Sequence, residues 1–144
     1  MFQPSQADVR RFFCGAYQKW TQQAPMEAIE TLAAYWIALH PEYHATLADL
    51  DQALADMGNP QEGQENPFLH LSMHLSISEQ CSIDQPRGIR QAVELLTARL
   101  NDLHEAHHQV MECLGQMLHE SQRSGRPPNA TSYIEAVQKK ATRL

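Results

Sequence analysis

Apolar residues return every three or four positions along most of this chain, the period of a helix with one buried face. Val9, Phe12, Phe13, Ala16 and Trp20 form the first such stripe. Ser5 stands where an N-cap belongs, and Asp8 is placed to complete a capping pair. A second stripe, Ile29, Leu32, Ala33, Trp36, Ile37 and His40, follows Pro25, which suits a first helical turn. Pro41 breaks it, and "PEYHATLADLDQALAD" predicts one or two further short segments. "MGNPQEGQEN" is polar and contains Gly and Pro, so it predicts an exposed loop at about residues 57–65. Asn66 and Pro67 fit the N-cap and first position of a helix that begins "NPFLHLSMHL" and runs to about Ser82. "SIDQPRGI" is a tight connection. Helical periodicity resumes at about Arg90 and continues toward Gln122, with a break near Asn101. Gly125 and two prolines end it, and "TSYIEAVQKKA" predicts a closing helix over about residues 130–142. No strand pattern or internal repeat intervenes. The pattern predicts an all-α, single-domain bundle of about five to seven helices.

Composition narrows the function classes. The chain has 144 residues, 42% hydrophobic and 19% charged, with a net charge of −6, the profile of a globular domain. An acidic chain without a basic stripe argues against nucleic-acid binding. No apolar run approaches bilayer length, and the N-terminus lacks the core of a signal peptide, so no membrane role is expected and the expected compartment is the cytoplasm. Cys14, Cys81 and Cys113 are odd in number and widely spaced. They predict neither a disulfide framework nor a zinc knuckle, and each falls in an apolar pattern where a reduced thiol packs as a small hydrophobe.

The histidines change the picture. Seven of the eight fall in three groups: His40/His44, His70/His74 and His104/His107/His108, with His119 beyond them. Projected on a helix, His70 and His74 share a face with Ile77 and Cys81, while Phe68 and Leu75 lie with Ser72, Ser76 and Glu79. The pair therefore points with the more apolar side, where an imidazole needs partners for both nitrogens. On the later helix His104, His108 and Glu112 follow at four-residue steps along the edge of the stripe Val110, Met111, Leu114, Met117 and Leu118. Four-residue spacing lets two helical side chains converge on one ion, and bundles build metal sites by projecting such residues inward. The candidate ligands are His70, His74, His104, His108 and Glu112, with His44 as an optional addition. Pro41 interrupts helical spacing between His40 and His44, which weakens that pair. His107 and His119 read as structural. An imidazole-rich set with one carboxylate suits zinc, iron, manganese or nickel better than calcium or magnesium, and no motif for an organic cofactor accompanies it.

Other chemistries find less support. There is no phosphate-binding glycine loop, nucleophile elbow or H-E-x-x-H. Cys113 beside His104 or His108 projects to the back of the core stripe and reads as packing. Arg87 and Gly88 in "DQPRGIR" could form an anion-binding turn, but a plain helix–helix connection is the better account of them.

Taken together, "HPEYH", "NPFLHLSMHL", "DQPRGIR" and "HHQVMECLGQMLHESQRSGRPP" resemble the bacterial domain-of-unknown-function family numbered 1841 over nearly the whole chain. The resemblance implies that His70 and His74 match its N-P-F-x-H-x-x-x-H motif. It also implies that His104, His108 and Glu112 match the histidine element preceding "GRPP", with His107 outside the motif. A small cytoplasmic helical protein is implied; a reaction is not.

Two functions follow from the residues. In the first, the ligand set holds a transition metal, closed as a structural site or open as the centre of a metal-dependent hydrolase or transferase. In the second, the chain is a metal-free helical interaction or dimerisation module whose core histidines pair with Glu112, Tyr43 or backbone carbonyls. Trp20, Trp36 and Tyr133 would then anchor a small-molecule or protein partner if exposed. A homodimer is compatible with both.

Overall fold

Capping chemistry sets where most of the helices begin. The computed structural model describes residues 5–56 and 66–142. Ser5 Oγ accepts from Asp8 N while Asp8 accepts from Ser5 N, and α1 (Gln6–Gln22) starts there. α2 (Ala28–Ala38) begins later than Pro25 suggests, because Glu27 serves as its N-cap and donates its N–H to the Glu30 carboxylate at 2.8 Å. Pro41 converts the chain to a 3₁₀ turn (Pro41–Tyr43), followed by α3 (His44–Leu47). Asp49 then caps α4 (Leu50–Ala55) by accepting from Gln52 N.

Asn66 Oδ1 accepts from Phe68 N at 3.0 Å and opens α5 (Pro67–Ile83) as expected. α6 (Ile89–Leu100) stops at Asn101, whose φ of 53° is left-handed, and Asp102 caps α7 (Leu103–Ser124) at once. Gly125, at φ 72°, ends α7 in the conformation that a glycine adopts without steric cost. α8 (Ala130–Thr142) closes the described chain. All-α class therefore holds, with no strand among the described residues. Among the described residues there are eight α-helices rather than five to seven, since proline and a capping aspartate divide residues 41–55 into three short elements. The stretch read as a loop at 57–65 lies outside the described residues. No helix among the described residues is long and apolar enough to cross a membrane.

The chain divides into two compact units, residues 1–75 and 76–144. In the first, Phe13, Ala16, Ala33, Trp36, Ile37, Leu47, Phe68 and Leu71 form the core. Phe68, expected on the polar side of α5, is buried there, because this stretch of the helix buries more than one flank. Arg10 lies inside the same unit, donating through Nε to the Ala53 carbonyl at 3.1 Å with its guanidinium 4.8 Å from the Phe68 ring centroid. A buried guanidinium needs such partners to offset its lost hydration.

In the second unit α6 packs on both α7 and α8. Ile89, Val93, Leu96, Val110, Leu114, Tyr133 and Val137 are buried. Tyr133 donates its hydroxyl to Gln80 Oε1 at 2.7 Å. Trp36 and Tyr133, named as anchors for a partner if exposed, are interior residues in their respective units, and Trp20 is half-buried.

Candidate metal centre

In the first unit three imidazoles meet edge to edge. His40 ends the buried stripe of α2 just before Pro41, while His70 and His74 lie one turn apart on α5. All three are buried. His40 Nε2 is 3.0 Å from His70 Nε2, and His74 Nε2 is 3.2 Å from the same atom. Aromatic rings hold the imidazoles in orientation. Trp36 stacks on His74 with centroids 4.1 Å apart, and Tyr43 lies parallel to His40.

The Trp36 carbonyl, which can only accept, lies 2.7 Å from His40 Nδ1, so that nitrogen carries the hydrogen. His40 therefore turns Nε2 toward His70 Nε2, which also faces His74 Nε2. A Lewis-acidic cation can accept lone pairs from several imidazole nitrogens that converge in this way. Two nitrogens bound tetrahedrally to one zinc at 2.0–2.1 Å stand about 3.3 Å apart, close to the separations found here.

In the second unit α7 carries the other candidates. His104 and His108, both partly exposed, have ring centroids 4.4 Å apart, and each offers a ring nitrogen within 4.8 Å of the other's. His108 Nδ1 lies 3.9 Å from a Glu105 oxygen. Glu112 continues the four-residue ladder in sequence, but its exposed carboxylate accepts from Lys140 Nζ of α8 at 3.0 Å. His119 is exposed. Returning to the first unit, His44, the optional ligand, donates Nε2–H to the Ile37 carbonyl at 2.8 Å and rests against Tyr17 and Trp20.

His107 is buried in the second unit. Burial, with His104 and His108 nearby, pulls its pKa from 6.5 down to about 4. The unfolded chain therefore binds the extra proton between those values, and the stability held at neutral pH is lost as pH falls from 6.5 toward 4. We expect this residue to make the protein about 3 kcal/mol less stable at pH 4 than at pH 7. Urea denaturation across that range, compared with His107→Gln, measures the difference, and equal pH slopes in both proteins would refute it.

The alternative chemistries close off. Cys113 is buried and burial raises its thiol pKa, the opposite of an activated nucleophile. In the "DQPRGIR" turn Asp84 Oδ1 accepts from both Gly88 N and Arg90 N at 3.1 Å. The amides that might have held an external anion thus bind an internal carboxylate.

Comparison with known families places the chain. The family described as "Domain of unknown function (DUF1841)" matches residues 5–139. The chain belongs to this family. Neither the curated proteins nor the solved structures contain a match to it.

For this DUF1841 protein, sequence spacing paired His70 with His74 and His104 with His108, and each pair is adjacent on its helix. It passed over His40 as a ligand because Pro41 spoils the spacing to His44. The available signal was different: His40 completes the apolar stripe of α2, and a histidine at a core position needs a polar partner inside.

Proposed function

We propose that this DUF1841 protein binds a transition metal ion through histidines. The observation that carries the reading is the convergence of His40, His70 and His74 on one point with Nε2 separations of 3.0 and 3.2 Å. In the first unit His40 and His74 are imidazoles that could hold a metal ion; in the second unit His104 and His108 stay in the candidate pool on their own four-residue spacing. Glu112, tied to Lys140, and His44, tied to Ile37, are left out of the pool. Neutral imidazole donors favour zinc, nickel, copper or iron over magnesium and calcium. Three protein ligands and an open position would support metal-assisted hydrolysis or transfer, whereas four would make a structural centre.

Elemental analysis of tag-free protein from metal-supplemented medium tests this. About one transition metal ion per chain is expected in the wild type, with most of it lost in His70→Gln and in His40→Gln. Far-UV circular dichroism confirms that each variant is folded. A folded wild type that carries no metal, and takes up neither zinc nor ferrous iron on titration, would overturn the reading.

A further inference from the structure

The second unit contains a cavity of about 480 Å³, walled by α7, the turn that follows it and the start of α8. Sites for small organic molecules span about 300–1,000 Å³, so this one is large enough to hold such a ligand. Its apolar lining comes from Cys113 and Met117 on α7 and from Tyr133 and Ala136 on α8. Cys113 and Tyr133 are buried, which makes this side the floor. Ser124, Asn129 and Ser132, all exposed, place polar groups at the mouth.

The "SGRPPN" turn, which the sequence presents as a helix stop, also sets a charge at that mouth. Gly125 ends α7 at φ 72°, and the backbone of the next residue, Arg126, is pinned from both sides. Ser121 Oγ donates to the Arg126 carbonyl at 2.5 Å, and Arg126 N donates to Ser124 Oγ at 3.2 Å. Among the described residues of the wall, the charged ones are Arg126 and Glu120. Glu120 is engaged by Arg123 at 2.6 Å. Arg126 is therefore the charge that an entering molecule meets, and a guanidinium offers parallel N–H donors that match a carboxylate.

We propose that this cavity binds a small organic monoanion, a carboxylate carried on an apolar aryl or alkyl body. The carboxylate meets Arg126 at the mouth, and the body covers Met117, Tyr133 and Ala136. A dianion such as a phosphate monoester is disfavoured, because its second charge would share the cavity with Glu120. A bare carboxylate cannot use the floor, and burial of the apolar body supplies much of the affinity. The proposal is independent of the metal reading in the first unit.

A heteronuclear NMR titration of the isotope-labelled full-length protein tests it, with sodium 3-phenylpropionate as the probe at constant ionic strength. A ligand of about ten heavy atoms is expected to bind in about the millimolar range or tighter. Its saturable shifts should centre on backbone amides of residues 113–136, the span that lines the cavity. The neutral 3-phenylpropionamide, and sodium acetate without the apolar body, are each expected to bind at least about tenfold more weakly. Arg126 is exposed, so Arg126→Gln should stay folded. It is expected to weaken 3-phenylpropionate about tenfold and to leave the weak binding of the amide unchanged. No saturable shift up to about 20 mM probe, shifts centred away from α7 and α8, equal binding of acid and amide, or undiminished affinity in Arg126→Gln would each overturn the proposal.

Discussion

Replacing Trp36 by alanine is expected to lower the free energy of unfolding by about 3–5 kcal/mol. The indole is 1% exposed at the centre of the first unit's core, so truncation removes a large apolar surface and leaves a cavity that rigid neighbours fill only in part. Whole domains are stable by only about 5–15 kcal/mol, so one such change consumes a large share of the margin. The ring also stacks on His74 with an interplanar angle of 12°. Trp36→Ala should therefore loosen the imidazole as well as the core. Trp36→Phe keeps an aromatic face at this position and should cost clearly less. Urea denaturation of the three proteins, followed by circular dichroism, gives both differences. A loss below about 1 kcal/mol for Trp36→Ala would show that the site collapses freely and that the indole is not a rigid platform.

Tyr133 is the corresponding lever in the second unit. It is 2% exposed, and Tyr133→Ala is expected to cost about 3–5 kcal/mol, as for other large aromatic truncations. Tyr133→Phe separates the ring from its hydroxyl. The ring remains packed, but Gln80 Oε1 loses the donor that stood 2.7 Å away, at an expected cost of about 1–1.5 kcal/mol. Burial raises the phenol well above its ordinary pKa, so the hydroxyl stays a donor throughout the pH range in which denaturation is measured. If Tyr133→Phe proved as damaging as Tyr133→Ala, the hydrogen bond and not the packing would dominate this corner of the fold.

How far the fold could be read in advance depended on the range of the interactions involved. Ser5 with Asp8, Asn66 with Phe68, and Asp102 with Glu105 are contacts between residues two or three apart. The residue types alone therefore place the starts of α1, α5 and α7. Asn101 and Gly125 end their helices for an equally local reason, the ease with which those residues adopt positive φ. The segment after Pro41 was harder. Proline announces a break, but whether the chain resumes as one helix or several depends on Leu47 and Ala53 finding places in the first unit's core.

The candidate centre divides along the same line. That His70 and His74, and likewise His104 and His108, are neighbours follows from four-residue spacing on a helix, and the sequence by itself determined it. It also determined the helical class and the donor chemistry on offer, because both depend on residue type and local periodicity. Only the tertiary structure decided which distant groups those side chains meet. His40 reaches His70 across 30 positions, and Lys140 takes Glu112 across 28. His44 turns to the Ile37 carbonyl, and Phe68 enters the core from the face that looked polar. The physical reason is reach. A hydrogen bond or a ligand bond acts over about 2–3 Å, and for residues far apart in sequence only the packing of the helices brings two atoms that close.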